Sequence, residues 1–567
     1  MHRHQLIIVG GGLAGLRAAA EAAAMRVDCA VVSLVHPLRS HTGAAQGGIN
    51  ASLGNHPEAR EDDWQSHAFD TVKGSDYLGD QDAIRILCKD APARIYEMEH
   101  WGMPFSRFDN GTIAQRPLGG ATHPRACFAA DKTGHYLLHT AYEQAMRQNL
   151  RVYSEYSVQE LVAVDGAAVG LVAYSLLKGT IEGFLADAVL FATGGSGRTY
   201  GRSTSALINT GTGMSLAYRA GVPLLDTEFV QFHPTTLYGT NILMSEGCRG
   251  EGGYLLNDLG ERFMDAYAPK SMELAPRDVV ARSIQTEIEE GRGIGGQPYV
   301  YLDLRHIGEA IIDERLPGIR DICIHFAGVD SVEDPIPIQP GQHYSMGGID
   351  ADHDGRTAME GFFAAGECAC VSVHGANRLG GNSLLETIVF GKRAGEAAAQ
   401  YVLGKGSGRL DEGPVQAAVE RFETKVRALQ SRERTEDPYA MRNKITATMD
   451  DYVQVYRDGE TLAQALQTLR DLKDRYQHVG VRARDLVYNL DLIKVLELER
   501  MLDVALAGCA GALARQESRG AHTRRDFPHR DDEKWLKHTV VTYTDDGPNL
   551  SYKPVVVDQF EPKERKY

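Results

Sequence analysis

Two arginines and two histidines in glycine-rich, charge-mixed segments are the residues of this chain best suited to chemistry on a small ligand. His233 lies in Glu228-Phe229-Val230-Gln231-Phe232-His233-Pro234-Thr235. Ser245, Glu246 and Arg249 lie in Met244-Ser245-Glu246-Gly247-Cys248-Arg249-Gly250, and Arg277 in Glu273-Leu274-Ala275-Pro276-Arg277-Asp278. His343 opens Gln342-His343-Tyr344-Ser345-Met346, and Arg378 stands in His374-Gly375-Ala376-Asn377-Arg378-Leu379-Gly380-Gly381. Loops built this way bring backbone and polar groups to a ligand. Taken singly, each residue has a plainer reading: a histidine is more often a satisfied structural residue, and an arginine beside Asp278 a surface ion pair. As a set they match the needs of a small dianion. Arginine offers each carboxylate a planar two-pronged donor, and histidine adds a directed hydrogen bond.

Such residues need a scaffold, and the N-terminus supplies one. Gln5–Val9 is a short apolar strand running into Gly10-Gly11-Gly12-Leu13-Ala14-Gly15, an alanine-rich helix follows, and Cys29–Val35 is a second buried strand. In this GxGxxG, Gly10 permits the turn, Gly12 lets backbone approach a pyrophosphate, and Gly15 lets helix pack on strand. Ser33 stands where an acidic ribose ligand usually ends the second strand, which weakens NAD more than FAD. Two more strands run into glycines: Ala188–Phe191 before Thr193, Gly194 and Gly195, and Phe362–Ala364 before Gly366-Glu367. Strand ends are where doubly wound sheets bind ligand, so the three predict one such α/β domain, interrupted by an insertion over 236–334. From about 408 the sequence turns charged and periodic, with apolar residues at three and four spacing, which predicts amphipathic helices.

Composition narrows the function. The net charge of −16 disfavours nucleic acid as a partner, because phosphate binding needs a basic surface. Eight scattered cysteines without CxxC spacing favour a reducing compartment and buried thiols, with no metal site completed around Cys368 and Cys370. No apolar run approaches the roughly 18 to 20 residues of a membrane helix. The absence of a leader-like stretch before Gln5 favours a bacterial protein or a processed form.

Together with Arg39-Ser40-His41-Thr42-Gly43-Ala44-Ala45-Gln46-Gly47-Gly48 and with Glu517-Ser518-Arg519-Gly520-Ala521-His522, these segments, in this order, resemble the flavoprotein subunits of succinate dehydrogenase and fumarate reductase. The resemblance covers essentially the whole chain. It implies an FAD-binding domain in two parts (1–235 and 335–407), an α+β capping domain (236–334), a helical domain (408–515) and an irregular C-terminal domain (516–567). It further implies FAD attached covalently to His41, with contacts from Gly10, Gly12, Leu13, Ala14, Gly15 and Ser33. Ser40, Thr42, Gln46, Gly47, Gly48, Thr193, Gly194, Gly195, Thr212, Glu367, Ser383 and Leu384 would complete the cofactor site. Arg378 and His343 would hold one carboxylate of succinate or fumarate, and His233 and Ser245 the other. Arg277 would transfer the proton, with Glu246 and Arg249 as relay to solvent.

Three departures stand out. The family often has Thr in place of Ser245, which keeps the hydroxyl; Thr212 replaces a common Asp; Gly43 replaces a larger apolar residue beside His41. The implied partners are an iron–sulphur subunit and a membrane anchor with a quinone site, placing the chain peripherally on the cytoplasmic side of a bacterial inner membrane. The rival readings are a fumarate reductase running in reverse, an L-aspartate oxidase, and a flavin-binding module without turnover.

Overall fold

The first strand, His2–Val9, buries Leu6 to Val9 on both faces, as a central strand of a parallel sheet must. In the computed structural model, which describes residues 1–405 and 411–566, it pairs in parallel with Cys29–Ser33 on one side and Thr180–Phe191 on the other. Arg151–Ser154 extends the first side. The end of Thr180–Phe191 pairs in parallel with Phe362–Ala364, while its beginning joins an antiparallel hairpin, Tyr156–Val164 and Ala167–Ser175. The three glycine-ended strands are therefore neighbours in one sheet although they lie far apart in sequence. Helices Leu13–Ala24 and Asn382–Lys405 cross closely on one face. A Cβ on Gly391 or Gly395 would come within 2.8 and 2.5 Å of the Ala14 and Ala18 carbonyl oxygens.

Between the second and third of these strands, Val230–Leu237, Ile336–Ser345, Val300–Asp303 and Tyr254–Leu256 form a separate antiparallel sheet. Leu237, Met244, Leu255, Val280, Ile284 and Leu302 give this region its own apolar core. Beyond it, helices Gly413–Ser431, Pro438–Tyr452, Gly459–Arg475 and Leu490–Ala514 share a core that includes Phe422, Met441, Leu466 and Leu502. The expected boundary between 407 and 408 lies outside the described residues. The C-terminal segment, irregular for most of its length, includes a hairpin of Lys537–Thr544 and Gly547–Pro554 that pairs with Leu224–Leu225.

A buried histidine fastens that hairpin. His538 Nδ1 lies 2.6 Å from Asp226 Oδ2 and its Nε2 3.1 Å from Asp80 Oδ1. Burial works against charging the imidazole, but Asp226 and Asp80 outweigh it and raise its pKa to about 10. The stability this adds is fully present below the unfolded value of about 6.5 and is lost as pH rises through about 10. Replacing His538 with leucine should cost about 3 kcal/mol near neutral pH, because two buried carboxylates lose their partner. Urea midpoints at pH 6 should differ between wild type and variant and converge above pH 10. Equal midpoints at pH 6 would contradict this.

Candidate functional site

All three glycine-ended strands deliver their ends to one cavity of about 590 Å³. Its walls include every cofactor and substrate position expected from sequence except Gly15, Gly195 and Arg249. The first two act from behind the wall: a Cβ on Gly15 would lie 2.0 Å from the Gly10 carbonyl oxygen, and one on Gly195 would lie 2.3 Å from the Glu367 carboxylate. Gly10 itself has φ +116° and no room for a Cβ beside Ala192.

At the nucleotide end, helix Leu13–Ala24 starts from Gly12 with no side-chain cap, which suits the approach of a phosphate. Thr42 Oγ1 accepts from the Leu13 N–H at 3.2 Å and so holds the His41 loop against this helix. Thr212 starts the helix Thr212–Arg219 and bonds Thr210 at 2.9 Å. Ser33 ends its strand at the wall, and Ser383 and Leu384 line it from the first turn of Asn382–Lys405. Glu367 Oε1 accepts from the Ser345 N–H at 3.0 Å, and burial pushes its carboxyl up to about 7. Among the described residues, Ser40 Oγ, Gln46 Oε1, Thr193 Oγ1 and Asn209 Nδ2 are buried without a partner. Orphaned polar atoms around glycine-lined backbone are what a flavin dinucleotide, with its hydroxyls, pyrophosphate and polar ring edge, would satisfy. The residues fit FAD.

His41 sits in a short 3₁₀ turn, where its Nδ1 accepts from the Ala206 N–H at 3.2 Å. Burial, assisted by Arg198, lowers its pKa to about 4. Its imidazole is therefore neutral near pH 7, and Nε2 is the nitrogen left free.

At the other end the charged side chains converge. Arg277 begins helix Arg277–Glu289, donates from Nε to Glu246 Oε2 at 2.8 Å, and donates from Nη1 to Gln231 Oε1 at 3.1 Å. Glu246 Oε1 accepts from the Gly119 N–H at 2.7 Å, with Arg249 Nη2 3.8 Å away. Burial pushes the Glu246 carboxyl up, but the guanidiniums of Arg277 and Arg249 outweigh it and hold it below the usual carboxylate range. Burial also draws the Arg249 guanidinium down, although Glu246 opposes this. The Arg378 guanidinium carbon lies over the Tyr344 ring, 4.4 Å from its centroid, and Nε is unpartnered among the described residues. Burial and then Arg277 lower its pKa.

The rings of the two histidines meet edge to face, centroids 4.9 Å apart. His233 Nδ1 accepts from the Thr235 N–H at 3.2 Å, leaving a buried, unpartnered Nε2. His343 Nδ1 lies 2.8 Å from Thr204 Oγ1. Burial is the main cause that pushes both imidazoles well below their ordinary value, with Arg277 adding to it for His233 and His233 for His343. Ser245 Oγ accepts from the Gly247 N–H at 3.0 Å, so its own proton is free to point elsewhere. Among the described residues no carboxylate pairs directly with Arg378, and cationic and neutral donors surround the space, a site shaped for an anion.

Comparison with known proteins decides the family. A family model described as FAD binding domain matches residues 5–384, and one described as fumarate reductase flavoprotein C-term matches 442–567. The succinate dehydrogenase flavoprotein subunit of Rickettsia conorii is 44% identical over 98% of this chain and 96% of its own. The chain belongs to the succinate dehydrogenase and fumarate reductase flavoprotein family. The fumarate reductase flavoprotein subunit of Mycobacterium tuberculosis is also 44% identical, over 100% of this chain and 99% of that protein. A solved variant of Escherichia coli quinol fumarate reductase superposes with a TM-score of 0.95 at 39% identity, covering 100% of this chain and 99% of that one. This chain is accordingly an FAD-binding oxidoreductase of that family.

Several residues at the site escape a reading of the sequence. Gln231 reaches Arg277 and the Arg378 carbonyl, and Arg116 holds the Gln46–Gly47 backbone through bonds of 3.2 and 3.0 Å. Arg198, Asn209, Glu497 and Arg500 also line the cavity. Only Gln231 carried a signal: it stands two residues before His233, the spacing that returns a strand side chain to the same face.

Proposed function

We propose that this chain is the flavoprotein subunit of a succinate:quinone oxidoreductase. It oxidises succinate to fumarate with FAD bound covalently at His41 and passes electrons to an iron–sulphur subunit, with a membrane anchor carrying the quinone site. The observation that supports this most is that the dinucleotide loop, His41 and the two Arg–His pairs open onto one cavity. Among the described residues no helix is long and apolar enough to cross a membrane. In this reading the partners hold the chain peripherally at the cytoplasmic face of a bacterial inner membrane.

FAD supplies the two-electron acceptor for removal of hydrogen from adjacent carbons. The chain's own part is positioning and proton transfer. Arg378 and His343 grip one carboxylate; His233, donating from Nε2, and the Ser245 hydroxyl grip the other. Fixing both ends aligns the carbon chain before reaction, which replaces a chance encounter by an oriented one. Arg277 must be neutral to accept a proton, and arginine is normally always charged. Glu246, bonded to it at 2.8 Å, takes that proton, and Arg249, 3.8 Å from the other Glu246 oxygen, gives one of its own protons to solvent before it takes up the one from Glu246.

The capping region 236–334 contributes Ser245, Glu246, Arg249 and Arg277; His233 and His343 come from Val230–Leu237 and Ile336–Ser345, paired strands of the separate antiparallel sheet that cross the bounds of that region, and His41 and Arg378 come from the FAD-binding parts 1–235 and 335–407. The clamp is complete only when these regions meet. The helical region adds Ile493, Leu496, Glu497 and Arg500 to the nucleotide wall, and the tail braces the assembly through its hairpin on Leu224–Leu225 and through Arg565. Run in reverse, the same residues reduce fumarate. Aspartate oxidation fits less well, because Glu246 is already engaged by Arg277 and Gly119 and is not free to receive an ammonium group.

His41 provides the test. In acid-precipitated wild type, yellow flavin should stay with the protein; in His41→Ser it should pass to the supernatant. The variant should lose succinate oxidation far more than fumarate reduction, because protein attachment is one means of raising the flavin potential toward that of a poor reductant. Flavin retained in the His41→Ser precipitate would reject the attachment, and full succinate oxidation would reject its role in direction.

A further inference from the structure

Helix Arg277–Glu289 is tied to the body of the protein by the C-terminal tail. Asp278, whose side chain is fully buried, directly follows Arg277. Its Oδ2 takes the Arg565 Nη2 at 2.6 Å, and the same Nη2 lies 3.1 Å from Asp76 Oδ2 in the FAD-binding part. Arg530 donates to the other Asp76 oxygen at 2.7 Å, and Arg282, on the helix, donates to the Gly520 carbonyl at 2.8 Å.

The far side of Asp278 leads to the proposed chemistry. Asp278 Oδ1 accepts from Asn377 Nδ2 at 3.2 Å, and Asn377 Oδ1 accepts from Gln231 Nε2 at 2.9 Å. Gln231 Nε2 also donates to the Arg378 carbonyl at 2.7 Å, while its Oε1 accepts from Arg277 Nη1 at 3.1 Å. The polarity of this chain is set from both ends. A carboxylate and a carbonyl can only accept, so Asn377 turns its NH₂ to Asp278 and to the Gly74 carbonyl, 3.2 Å away, and its oxygen to Gln231. Gln231 must in turn present its oxygen to Arg277. A reversed Gln231 amide would set NH₂ against guanidinium, two donors with no acceptor between them.

We propose that Arg565 is a positioning residue. By sharing with Arg282 the neutralisation of Asp278 and joining it to Asp76, it latches the capping region onto the FAD-binding part and fixes the amide relay that orients Arg277 and the Arg378 loop. This rests on the proton-transfer role proposed for Arg277.

The test uses the assembled, flavin-loaded enzyme with Arg565→Ala and Arg565→Lys. In Arg565→Ala, kcat for succinate should fall about tenfold, within the up to 10²-fold that a 1 Å misplacement costs, while KM changes much less. Hydrogen exchange should quicken in helix Arg277–Glu289. Arg565→Lys, which restores a cation, should recover most of kcat. Wild-type kcat in Arg565→Ala would overturn the proposal whether or not exchange quickens, since the contact would then brace the fold only. If the wild-type enzyme itself does not oxidise succinate, the functional reading fails, and unchanged exchange in the variant separately overturns the latch.

Discussion

Replacing Arg277 with glutamine should cut succinate turnover by roughly 10²–10⁴-fold, the range a positioned acid or base contributes. KM should stay close to wild type, because the four groups proposed to grip the carboxylates remain. Equal losses in kcat and kcat/KM are the signature of an interaction made only in the transition state. A second consequence follows from burial. Glu246 is held below the carboxylate range by Arg277 and Arg249 against burial that pushes the other way. Without Arg277 that restraint weakens and the relay through Glu246 loses the group that meets the substrate, so fumarate reduction should fail alongside succinate oxidation. Breaking this buried pair should also cost about 3 kcal/mol of stability. Arg277→Lys keeps a cation next to Glu246 and should recover that stability but not the rate, since one amine cannot reproduce the planar fork shared between Glu246 and Gln231. Steady-state kinetics in both directions, with urea midpoints, separate these effects. Substantial turnover in Arg277→Gln would remove it from proton transfer.

The second large effect is expected at Arg378. Its guanidinium lies over Tyr344, and among the described residues no acidic side chain pairs with it directly, in contrast to Arg277. Charged hydrogen bonds contribute about 1.5–3 kcal/mol each, so losing a two-pronged pair should weaken dicarboxylate binding by roughly 10²–10⁴-fold. Arg378→Gln should therefore raise KM for succinate and weaken a non-oxidisable dicarboxylate such as malonate in parallel. In wild type, burial and Arg277 lower the pKa of Arg378, and a bound dianion restores it. Dicarboxylate affinity should accordingly decline as pH rises in the alkaline range, and more steeply in wild type than in the variant, which has lost the titrating group. Unchanged malonate affinity in Arg378→Gln would show that the carboxylate lies elsewhere.

What sequence reveals here is what local chemistry determines. Gly10 and Gly15 announce a close turn because only glycine avoids the carbonyls of Ala192 and Gly10. The apolar runs ending at Val9, Phe191 and Ala364 announce central strands, and in a doubly wound sheet their ends must face ligand. His233, His343, Arg277 and Arg378 announce themselves as polar residues in glycine-rich segments, and they do share one cavity wall. Their partners are less visible. Gln231 acquires its role from Asn377, far along the chain, and Arg565 from Asp76 and Asp278. Those contacts depend on how the regions pack, and neither residue type nor spacing reports it. His538 is similar: a histidine in a strand reads as ordinary until Asp226 and Asp80 surround it.

The most direct test of the account is the visible spectrum of the anaerobic, flavin-loaded protein titrated with succinate, beside a titration with L-aspartate. Succinate should bleach the flavin band, L-aspartate should not, and the bleached sample should recover on adding fumarate. A flavin band untouched by succinate, or bleached by L-aspartate alone, would contradict a succinate–fumarate site at the meeting point of His41, Arg277 and Arg378.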